Sequence, residues 1–448
     1  MKLKDLELTE LFQVSRNQRA YRAASPSAVR DSHVPAYNRY AMQASSPVER
    51  RQRRLHCITL YAMSGMNEVD PAASALWQAA QLAVAGDRPQ RGAPSTSPVE
   101  RYLDPSRHAA ETAALRRLPH AIGPAARLAN AGDWLSTQLL GVPVLACRGE
   151  DGELRAFINV CRHRGAIVAA PESCGQGRAR FVCPYHSWTY NDRGMLVGRP
   201  HEVDFPHAPR DTASLVPLPV ALRCGLVWVV PERGDGFDWD AWFGPLGREL
   251  EALGYDDHAA SPHERRFVQP SNWKLVLDAN LESYHFQYAH RATIAPLFFD
   301  NVVQQESFGR HQRIVLPKRT LAEAGGDAAS WDQLGRHSNV IYFFFPATFL
   351  LWEGDHANVF NVAPAAPGSC ATTSWMVVPA SPFARRPASH WARNWKIFWD
   401  AIDEDFALAA SMQQGLSSGA NACLTFGANE FACDIFERAI DELVGMGQ

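Results

Sequence analysis

Two short stretches decide the interpretation of this chain: residues 161–165 read Cys-Arg-His-Arg-Gly, and residues 183–190 read Cys-Pro-Tyr-His-Ser-Trp-Thr-Tyr. Each stretch supplies one thiol and one imidazole, at Cys161 and His163 and at Cys183 and His186. Two sulfur and two nitrogen ligands suit a [2Fe–2S] cluster with the cysteines on one iron and the histidines on the other. Histidine ligation raises the reduction potential, so the pattern predicts a cluster that accepts and passes on electrons.

A zinc site is the main alternative, because two cysteines and two histidines also suit Zn²⁺. Zinc fingers usually group like ligands together, whereas each stretch here mixes them. Gly165 and Pro184 fit loops that turn sharply around a cluster. The hydroxyls of Ser187 and Tyr190 are candidates for hydrogen bonds to sulfur, and the alternative is that both are surface-loop hydroxyls. With its flanking residues, each stretch resembles the Rieske iron–sulfur pattern.

The length, charge and amino-acid composition limit the classes of protein to which this chain can belong. At 448 residues the chain has room for two or three domains, and its net charge of −3 favours neither nucleic acid nor an anionic membrane as a general partner. Nine cysteines, of which two have metal-ligand spacing, argue against a disulfide framework, so Cys174 is expected to be a free thiol. The most apolar stretch, 339–352, is too short for a membrane helix. A charged N-terminus without an apolar secretory core favours a cytoplasmic location.

The chain divides into three parts. Residues 1–98 are predicted to be an N-terminal extension and linker: 1–65 are arginine-rich and largely disordered or precede the natural start, with a basic RNA-binding or targeting arm as the alternative. Helical periodicity begins at Met66, and 86–98 has the composition of a linker. Residues 99–232 are predicted to form an all-β domain with a leading helix over 108–118. Residues 233–448 alternate strands and helices, which predicts an α+β domain.

A second candidate metal site lies within residues 272–290, which read Asn-Trp-Lys-Leu-Val-Leu-Asp-Ala-Asn-Leu-Glu-Ser-Tyr-His-Phe-Gln-Tyr-Ala-His. The periodicity predicts a helix over 273–290. His285 and His290 are five residues apart, so they converge only if this helix ends or distorts between them. Histidines at this spacing are also common on surfaces and in cores, but a reducible cluster upstream needs an electron acceptor.

Together the two segments resemble the large (alpha) subunit of Rieske non-haem iron oxygenases, the ring-hydroxylating oxygenase family, over roughly residues 100–448. The resemblance implies an all-β Rieske [2Fe-2S] domain joined to a helix-grip (START-like) catalytic domain with a curved antiparallel sheet. It implies that His285 and His290 ligate Fe(II) and that Asp405 is the third ligand, with Asp400 and Asp403 as rivals and a solvated helix face as the alternative. Two histidines and one carboxylate leave open positions for O₂.

The resemblance also assigns Glu282 as a carboxylate that bridges an iron histidine to a cluster histidine of the neighbouring subunit; a surface salt-bridge role is the alternative. It implies a homotrimer, possibly with small subunits. The sequence has no glycine-rich dinucleotide fingerprint after a strand. Electrons from NAD(P)H are therefore expected to arrive through a separate ferredoxin or flavin reductase.

The expected activity is that of a terminal oxygenase component, which hydroxylates or oxidatively demethylates a small organic substrate using O₂. An aromatic substrate is favoured by a set of aromatic residues that are candidates for lining the cavity: Phe286, Tyr288, Phe298, Phe299, Phe343, Phe344, Phe345 and Trp352. Quaternary ammonium compounds are the alternative, through cation–π contacts and through the glutamate at 282, which some members acting on such amines share. A Rieske electron carrier and a lipid-binding helix-grip module with a vestigial cluster are the two other classes considered.

Overall fold

The structure is a computed structural model that describes residues 71–86, 91–234, 236–256, 259–324 and 330–445. All of these belong to one compact unit, Asn67–Gln448. The predictions for residues 1–65 lie outside the described residues. None of the helices in the described ranges is long and apolar enough to cross a bilayer.

The N-terminal elements are part of the folded core. They are α1 (Pro71–Ala85), β1 (Ser95–Pro98), α2 (Glu100–Leu103) and α3 (Pro105–Leu115). Helix α1 buries Leu76 and Trp77 in a cluster with residues of the catalytic-domain sheet, and β1 pairs antiparallel with residues 423–426. The prediction that residues 1–98 are only an extension and linker is therefore wrong from residue 71, apart from the segment 87–90 outside the described ranges.

Helix α3 also belongs with the C-terminal part of the chain. Glu111 on α3 is buried and accepts hydrogen bonds from the Lys274 ammonium and the Trp273 indole. Arg107 on the same helix forms an ion pair with Asp441. Helix α3 thus contacts the catalytic domain through both Glu111 and Arg107, and the assignment of a leading helix to the 99–232 domain stays a prediction.

The metal-cluster domain consists of short antiparallel strands. They are β2 (His120–Pro124), β3 (Trp134–Leu139), β4 (Val142–Arg148), β5 (Leu154–Ile158), β6 (Ser173–Gly175), β7 (Arg180–Val182), β8 (Thr189–Asn191), β9 (Leu196–Gly198), β10 (Pro217–Leu218), β11 (Val220–Arg223) and β12 (Leu226–Val229). They form sheets in the orders β10-β5-β4-β3-β6, β7-β8-β9 and β11-β12-β2. The first candidate cluster loop follows β5 and the second joins β7 to β8, so both lie at strand ends, as predicted.

The remaining elements build an α+β domain around one large sheet. They are α4 (Trp239–Ala252), β13 (Glu264–Gln269), α5 (Trp273–Asn280), α6 (Phe286–Ala289), β14 (Gln304–Phe308), β15 (His311–Pro317), α7 (Trp331–His337), β16 (Ser338–Phe344), β17 (Thr348–Trp352), β18 (Ala357–Ala366), β19 (Ser369–Val377), α8 (Ala380–Arg385), α9 (Ala388–Ser417), β20 (Cys423–Phe426) and α10 (Phe431–Gly445). Strands β13 to β19 form a seven-stranded antiparallel sheet in the order β13-β19-β18-β17-β16-β15-β14. Helix α5 packs against β18 and β19 and against α9. The predicted α+β class is confirmed.

The predicted helix over 273–290 is two helices, because α5 ends at Asn280 and α6 begins at Phe286. The Glu282 carboxylate accepts hydrogen bonds from the backbone N–H groups of Tyr284 and His285. These local bonds compete with the helical ones. The break brings His285 and His290 together, which is the condition that their spacing required.

Candidate metal centres and active-site cavity

The two cluster loops bring their four candidate ligands together. His163 Nδ1 lies 3.1 Å from His186 Nδ1, and Cys161 and Cys183 are buried in one core cluster. The left-handed φ of +79° at Gly165 and the backbone bond from its N–H to Cys161 O close the first loop tightly. A pair of adjacent imidazoles and a pair of buried thiols on the same two loops are the donor types that a [2Fe–2S] cluster with unequal ligation requires.

Neighbouring side chains hold this donor set in place. Trp188 stacks on the His163 ring, with centroids 4.8 Å apart and an interplanar angle of 10°. The Tyr190 hydroxyl lies 3.3 Å from Cys161 Sγ and accepts a hydrogen bond from Arg162 N–H. Its own proton is thus available to the sulfur, as the sequence predicted. Ser187 is exposed and, among the described residues, has no hydrogen bond to a cysteine sulfur. Its position agrees with the alternative that it is a surface-loop hydroxyl.

Cys174 lies between the two loops in sequence but outside the donor set. Its side chain is exposed and forms no disulfide with a described cysteine, in agreement with the predicted free thiol. Arg127 donates a hydrogen bond to its sulfur at 3.0 Å.

The second candidate centre combines His285, His290 and Asp405. His285 Nε2 lies 3.1 Å from His290 Nε2, and Asp405 Oδ1 lies 3.0 Å from His290 Nε2 and 3.4 Å from His285 Nε2. These three atoms are within 4.8 Å of one another, and Asp405 is buried on helix α9. Asp405 Oδ1 nevertheless receives no hydrogen bond from any described group. An anionic oxygen and two imidazole nitrogens that converge within this distance are a donor set that fits a divalent cation such as Fe(II).

The opposite nitrogen of each histidine faces a carboxylate. His285 Nδ1 contacts Glu282, and His290 Nδ1 lies 2.7 Å from Glu404 Oε2. A proton on Nδ1 that is shared with a carboxylate leaves the lone pair on Nε2, which is the form that ligates a metal. Burial by itself lowers the pKa of His290. The interactions with Asp405 and Glu404 raise this pKa by a larger amount, so the net pKa lies above the usual value for a histidine. The centre is therefore rich in negative charge that a bound cation would neutralise.

Asp405 lies on a different face of helix α9 from Asp400 and Asp403, the two other candidates for the third iron ligand. Asp405 lies on the buried face of α9, one turn from Ile402 and Ala409. Asp400 pairs with Lys396, and Asp403 pairs with Arg265 at 2.9 Å, so both face away from the histidines. Among these carboxylates, only Asp405 lies in the histidine pair's donor set.

A cavity of about 260 Å³ adjoins this centre and includes His285, His290 and Asp405 in its wall. Most of the wall is apolar and comes from α6, the segment that follows it, the sheet and α9: Phe286, Ile294, Leu297, Phe298, Leu316, Ile341, Leu351, Ile397, Phe398, Ala401 and Ile402. Such a pocket beside a metal site is the usual form of a small-molecule active site. A few polar residues, among them Lys318, Asn339 and Glu353, complete the wall.

The predicted aromatic lining is only partly correct. Of the eight candidates, Phe286 and Phe298 line the cavity and the other six do not. Phe343 and Phe345 pack in one core cluster and Phe344 in another, because alternate strand residues face opposite sides. Phe398, which the sequence did not single out, supplies the third aromatic wall.

Comparison with known proteins agrees with this two-centre architecture. Residues 119–210 match the Rieske [2Fe-2S] domain family, and residues 255–446 match the ring hydroxylating alpha subunit (catalytic domain) family. The glycine betaine monooxygenase oxygenase subunit of Chromohalobacter salexigens is 29% identical over 351 residues, which span 66% of this chain and 74% of the relative. The choline monooxygenase of Atriplex hortensis is 27% identical over 297 residues, 65% of this chain and 64% of the relative.

Solved structures share the fold. The quaternary ammonium Rieske monooxygenase CntA in complex with L-carnitine superposes with a TM-score of 0.67 at 18% identity, covering 78% of this chain and 95% of CntA. Naphthalene 1,2-dioxygenase from Rhodococcus sp. superposes with a TM-score of 0.66 at 17% identity, covering 85% and 100%.

A Rieske domain followed by a ring-hydroxylating catalytic domain, each with its metal donor set, defines a Rieske-type non-haem iron oxygenase. The chain belongs to the alpha-subunit family of these oxygenases. Its cofactors are a [2Fe-2S] cluster and a mononuclear iron, and a reductase supplies the electrons. Membership of this family excludes the alternatives of a zinc site, a simple electron carrier and a lipid-binding module.

Proposed function

We propose that Cys161 and Cys183 hold one iron of the cluster and His163 and His186 the other. The mononuclear iron binds His285 Nε2, His290 Nε2 and an oxygen of Asp405. The observation that carries this assignment is the convergence of three donor atoms within 4.8 Å of one another beside the cavity. When bound, the two centres supply stored electrons and the activation of O₂ for insertion into an organic substrate.

The protein's own groups orient these centres and shape the site. Glu282 and Glu404 fix the two imidazoles with their Nε2 lone pairs toward the metal. The apolar walls from α6, the sheet and α9 keep water from the space where substrate binds. Phe286, which packs edge-on against His290 with centroids 5.4 Å apart, places an aromatic ring at the metal end of the cavity.

The substrate is proposed to be a quaternary ammonium compound rather than an aromatic acid. Two relatives of this chain are named for glycine betaine and choline, both of which carry a trimethylammonium group. Phe286, Phe298 and Phe398 line the cavity, and aromatic rings attract such cations through their π faces. Insertion of one oxygen atom into an N-methyl C–H bond, with two electrons and two protons, gives an N-hydroxymethyl group and water. That group then releases formaldehyde and leaves the tertiary amine.

Electron transfer is proposed to cross between subunits of a homotrimer through Glu282. Tyr284 and Tyr288, which flank His285 in sequence, are 50% and 72% exposed, and Tyr185 beside cluster residue His186 is 55% exposed. Large apolar side chains exposed next to both centres suit an interface that joins them. The presence of small subunits, the identity of the reductase and the cytoplasmic location remain predictions from the sequence.

The experiment that tests the substrate class is O₂ uptake with a surrogate reductase and NADH, across matched panels of trimethylammonium compounds and aromatic acids. We expect substrate-dependent uptake and formaldehyde release only with the first panel. Uptake with aromatic acids alone, accompanied by hydroxylated products, would favour the aromatic alternative. His290→Ala should abolish product formation and mononuclear iron binding while the visible spectrum of the cluster is retained; unchanged iron content would remove the ligand assignment.

Glu282→Gln tests the electron path. The amide keeps the size of the side chain and can still hydrogen-bond to its neighbours, but it carries no charge. We expect weaker iron retention, as for any loss of a carboxylate partner of a ligand histidine, so the variant is loaded with excess Fe(II) before the assay. In the loaded variant the cluster should be reduced at the normal rate, and its oxidation by O₂ and substrate should slow by about 10- to 100-fold. Normal reoxidation in this variant would eliminate the bridging role.

A further inference from the structure

The active-site cavity meets a second, larger cavity of about 780 Å³, and the two share Lys318, Glu353 and Asn394. Asn394 and Asp405 lie on the same helix, α9, eleven residues apart. At 1.5 Å per residue, this separation is about 16 Å along the helix axis. Asn394 therefore lies far along α9 from the metal donors, and Lys318 and Glu353 line the junction of the two cavities together with it.

Lys318 is a cation without a carboxylate partner. Its ammonium donates a hydrogen bond to Gly335 O at 3.0 Å, and no described carboxylate forms an ion pair with it. An ammonium has three donors, so two remain available. Burial lowers the pKa of Lys318, while the charge of Glu353 acts in the opposite direction. A largely buried cation is costly unless an anion accompanies it, so an anionic group that enters the cavity is stabilised here.

Glu353 does not fill this role because its carboxylate is engaged on another side. Its Oε1 accepts a hydrogen bond from Asn358 Nδ2 at 2.8 Å and lies 3.9 Å from His356 Nε2. Asn358 and His356 are both buried, so these contacts hold the Glu353 carboxylate in place. The Lys318 ammonium therefore remains available to an anionic group bound in the cavity.

Asn339 provides an independent second observation. Its side chain lines the same cavity and is only 7% exposed, yet its Oδ1 has no hydrogen-bond partner among the described groups. Asn339 pairs in register with Leu316, two residues before Lys318. A buried polar atom without a partner costs stability unless a ligand or water satisfies it. By turning about its terminal bond, the amide can present either its N–H₂ donors or its oxygen.

We propose that Lys318 and Asn339 form a carboxylate-binding subsite in the active-site cavity, near its junction with the second cavity. The preferred substrate is then a quaternary ammonium compound that also bears a carboxylate, with its methylated nitrogen toward Phe286 and the metal end. This inference rests on the proposed function and narrows its substrate class.

The test compares matched pairs of trimethylammonium compounds that have the same carbon spacer and end in either a carboxylate or an alcohol. The loaded holoenzyme is assayed with a surrogate reductase, and kcat/KM is measured from formaldehyde release. We expect the wild type to prefer the carboxylate of at least one pair. Lys318→Met should reduce the carboxylate-to-alcohol ratio of kcat/KM by about 10- to 100-fold, mainly through KM, because one charge-assisted hydrogen bond is lost. Lys318→Arg should restore most of the ratio.

Lys396→Met is the matched control, because Lys396 lies on the outer face of α9, is paired with Asp400 and has a side chain that is 73% exposed. It should leave the ratio unchanged, and iron content with the thermal unfolding midpoint verifies that each variant is folded and loaded. An unchanged ratio in Lys318→Met, or an equal loss on both members of a pair, would overturn the subsite while the quaternary ammonium assignment stands. If the wild type turns over neither member of any pair, the proposed function itself fails and the subsite with it.

Discussion

The Glu404 carboxylate lies 2.7 Å from His290 Nδ1 and accepts a second hydrogen bond, also at 2.7 Å, from the Thr293 hydroxyl. Glu404 is thus the positioning partner of His290, as Glu282 is of His285. Because these two carboxylates flank the pair of imidazoles on the side away from Asp405, they determine which ring nitrogen is presented to the metal.

Replacing Glu404 by glutamine should weaken iron binding without removing a metal ligand. The amide no longer stabilises the protonated Nδ1 through its charge, so we expect the affinity for Fe(II) to fall about 10- to 100-fold. The measurement is the iron retained after titration with a chelator, while the cluster's visible absorption is unchanged. Asp403→Asn is the control, because Asp403 pairs with Arg265 on the outer face of α9. Equal iron retention in wild type and Glu404→Gln would contradict the positioning role.

The candidate ligands could be predicted because their chemistry is local to short motifs, whereas the supporting partners could not. The structure places His285, His290 and Asp405 in one donor set, His163 beside His186, and Cys161 with Cys183 in one core cluster, and the roles of all seven as ligands stay predictions. Glu404 is adjacent to Asp405 in the sequence and is not among the candidate site residues that the sequence suggests. Nothing in the sequence indicates that it reaches His290, since that contact depends on how α9 crosses the segment after α5.

The missed parts of the fold have a similar cause. Strand β1 has the sequence Ser-Thr-Ser-Pro, in which only Thr96 favours a strand, and it exists because it pairs with distant β20. The break between α5 and α6 contains neither proline nor glycine, so periodicity alone continued the helix through it. Here the side chain of Glu282 ends the helical pattern through its bonds to the backbone.

Removing the Tyr190 hydroxyl should lower the reduction potential of the cluster. The hydroxyl lies 3.3 Å from Cys161 Sγ, and a hydrogen bond to the sulfur stabilises the more negative, reduced cluster. Tyr190→Phe is therefore expected to shift the potential by roughly 20 to 60 mV in the negative direction, which corresponds to one ordinary hydrogen bond for a one-electron couple.

The potential is measured by redox titration of the cluster's spectrum. Tyr185→Phe is the matched control, because Tyr185 neighbours His186 but its hydroxyl interacts with Arg164 rather than with sulfur. A shift of the same size in both variants would show that the hydroxyl–sulfur contact is not the cause.

Lys274 should be important for stability because it is a fully buried cation. Its ammonium lies 2.5 Å from Glu111 Oε1, and both side chains are at most 1% exposed. Among the described residues, Lys274→Met leaves the buried Glu111 carboxylate with only Arg107 and the Trp273 indole as partners, which is expected to reduce the free energy of unfolding by about 3 kcal/mol, the lower end for a broken buried ion pair. The measurement is denaturant-induced unfolding followed by tryptophan fluorescence.

The double variant Glu111→Gln/Lys274→Met should recover part of this loss, since it also removes the charge of the buried carboxylate that has lost one of its two cationic partners. Because Glu111 lies on α3 and Lys274 on α5, such recovery would also demonstrate that α3 is energetically part of the catalytic domain. A destabilisation of less than 1 kcal/mol in Lys274→Met would contradict the role assigned to the pair.

Buried His311 should make stability fall as the pH decreases from neutrality. Its Nε2–H donates to Trp242 O at 2.7 Å and its Nδ1 accepts from Phe345 N–H at 3.0 Å, so the folded protein holds the neutral ring. Burial lowers the pKa of His311 to about 4, against the opposing effect of the bond to Trp242. The unfolded chain takes up this proton near pH 6.5, well before the folded protein does.

The contribution of His311 to the free energy of unfolding is therefore fully present above pH 6.5. It decreases by roughly 3 kcal/mol as the pH falls from 6.5 to about 4. His120, whose pKa burial also lowers to about 4, adds a second loss over the same range. The free energy of unfolding of His311→Gln, measured at several pH values, should be lower than that of wild type at pH 7.5 but should decline less steeply toward pH 4.5. Parallel declines in the two proteins would mean that His311 is not the group that takes up the proton on unfolding.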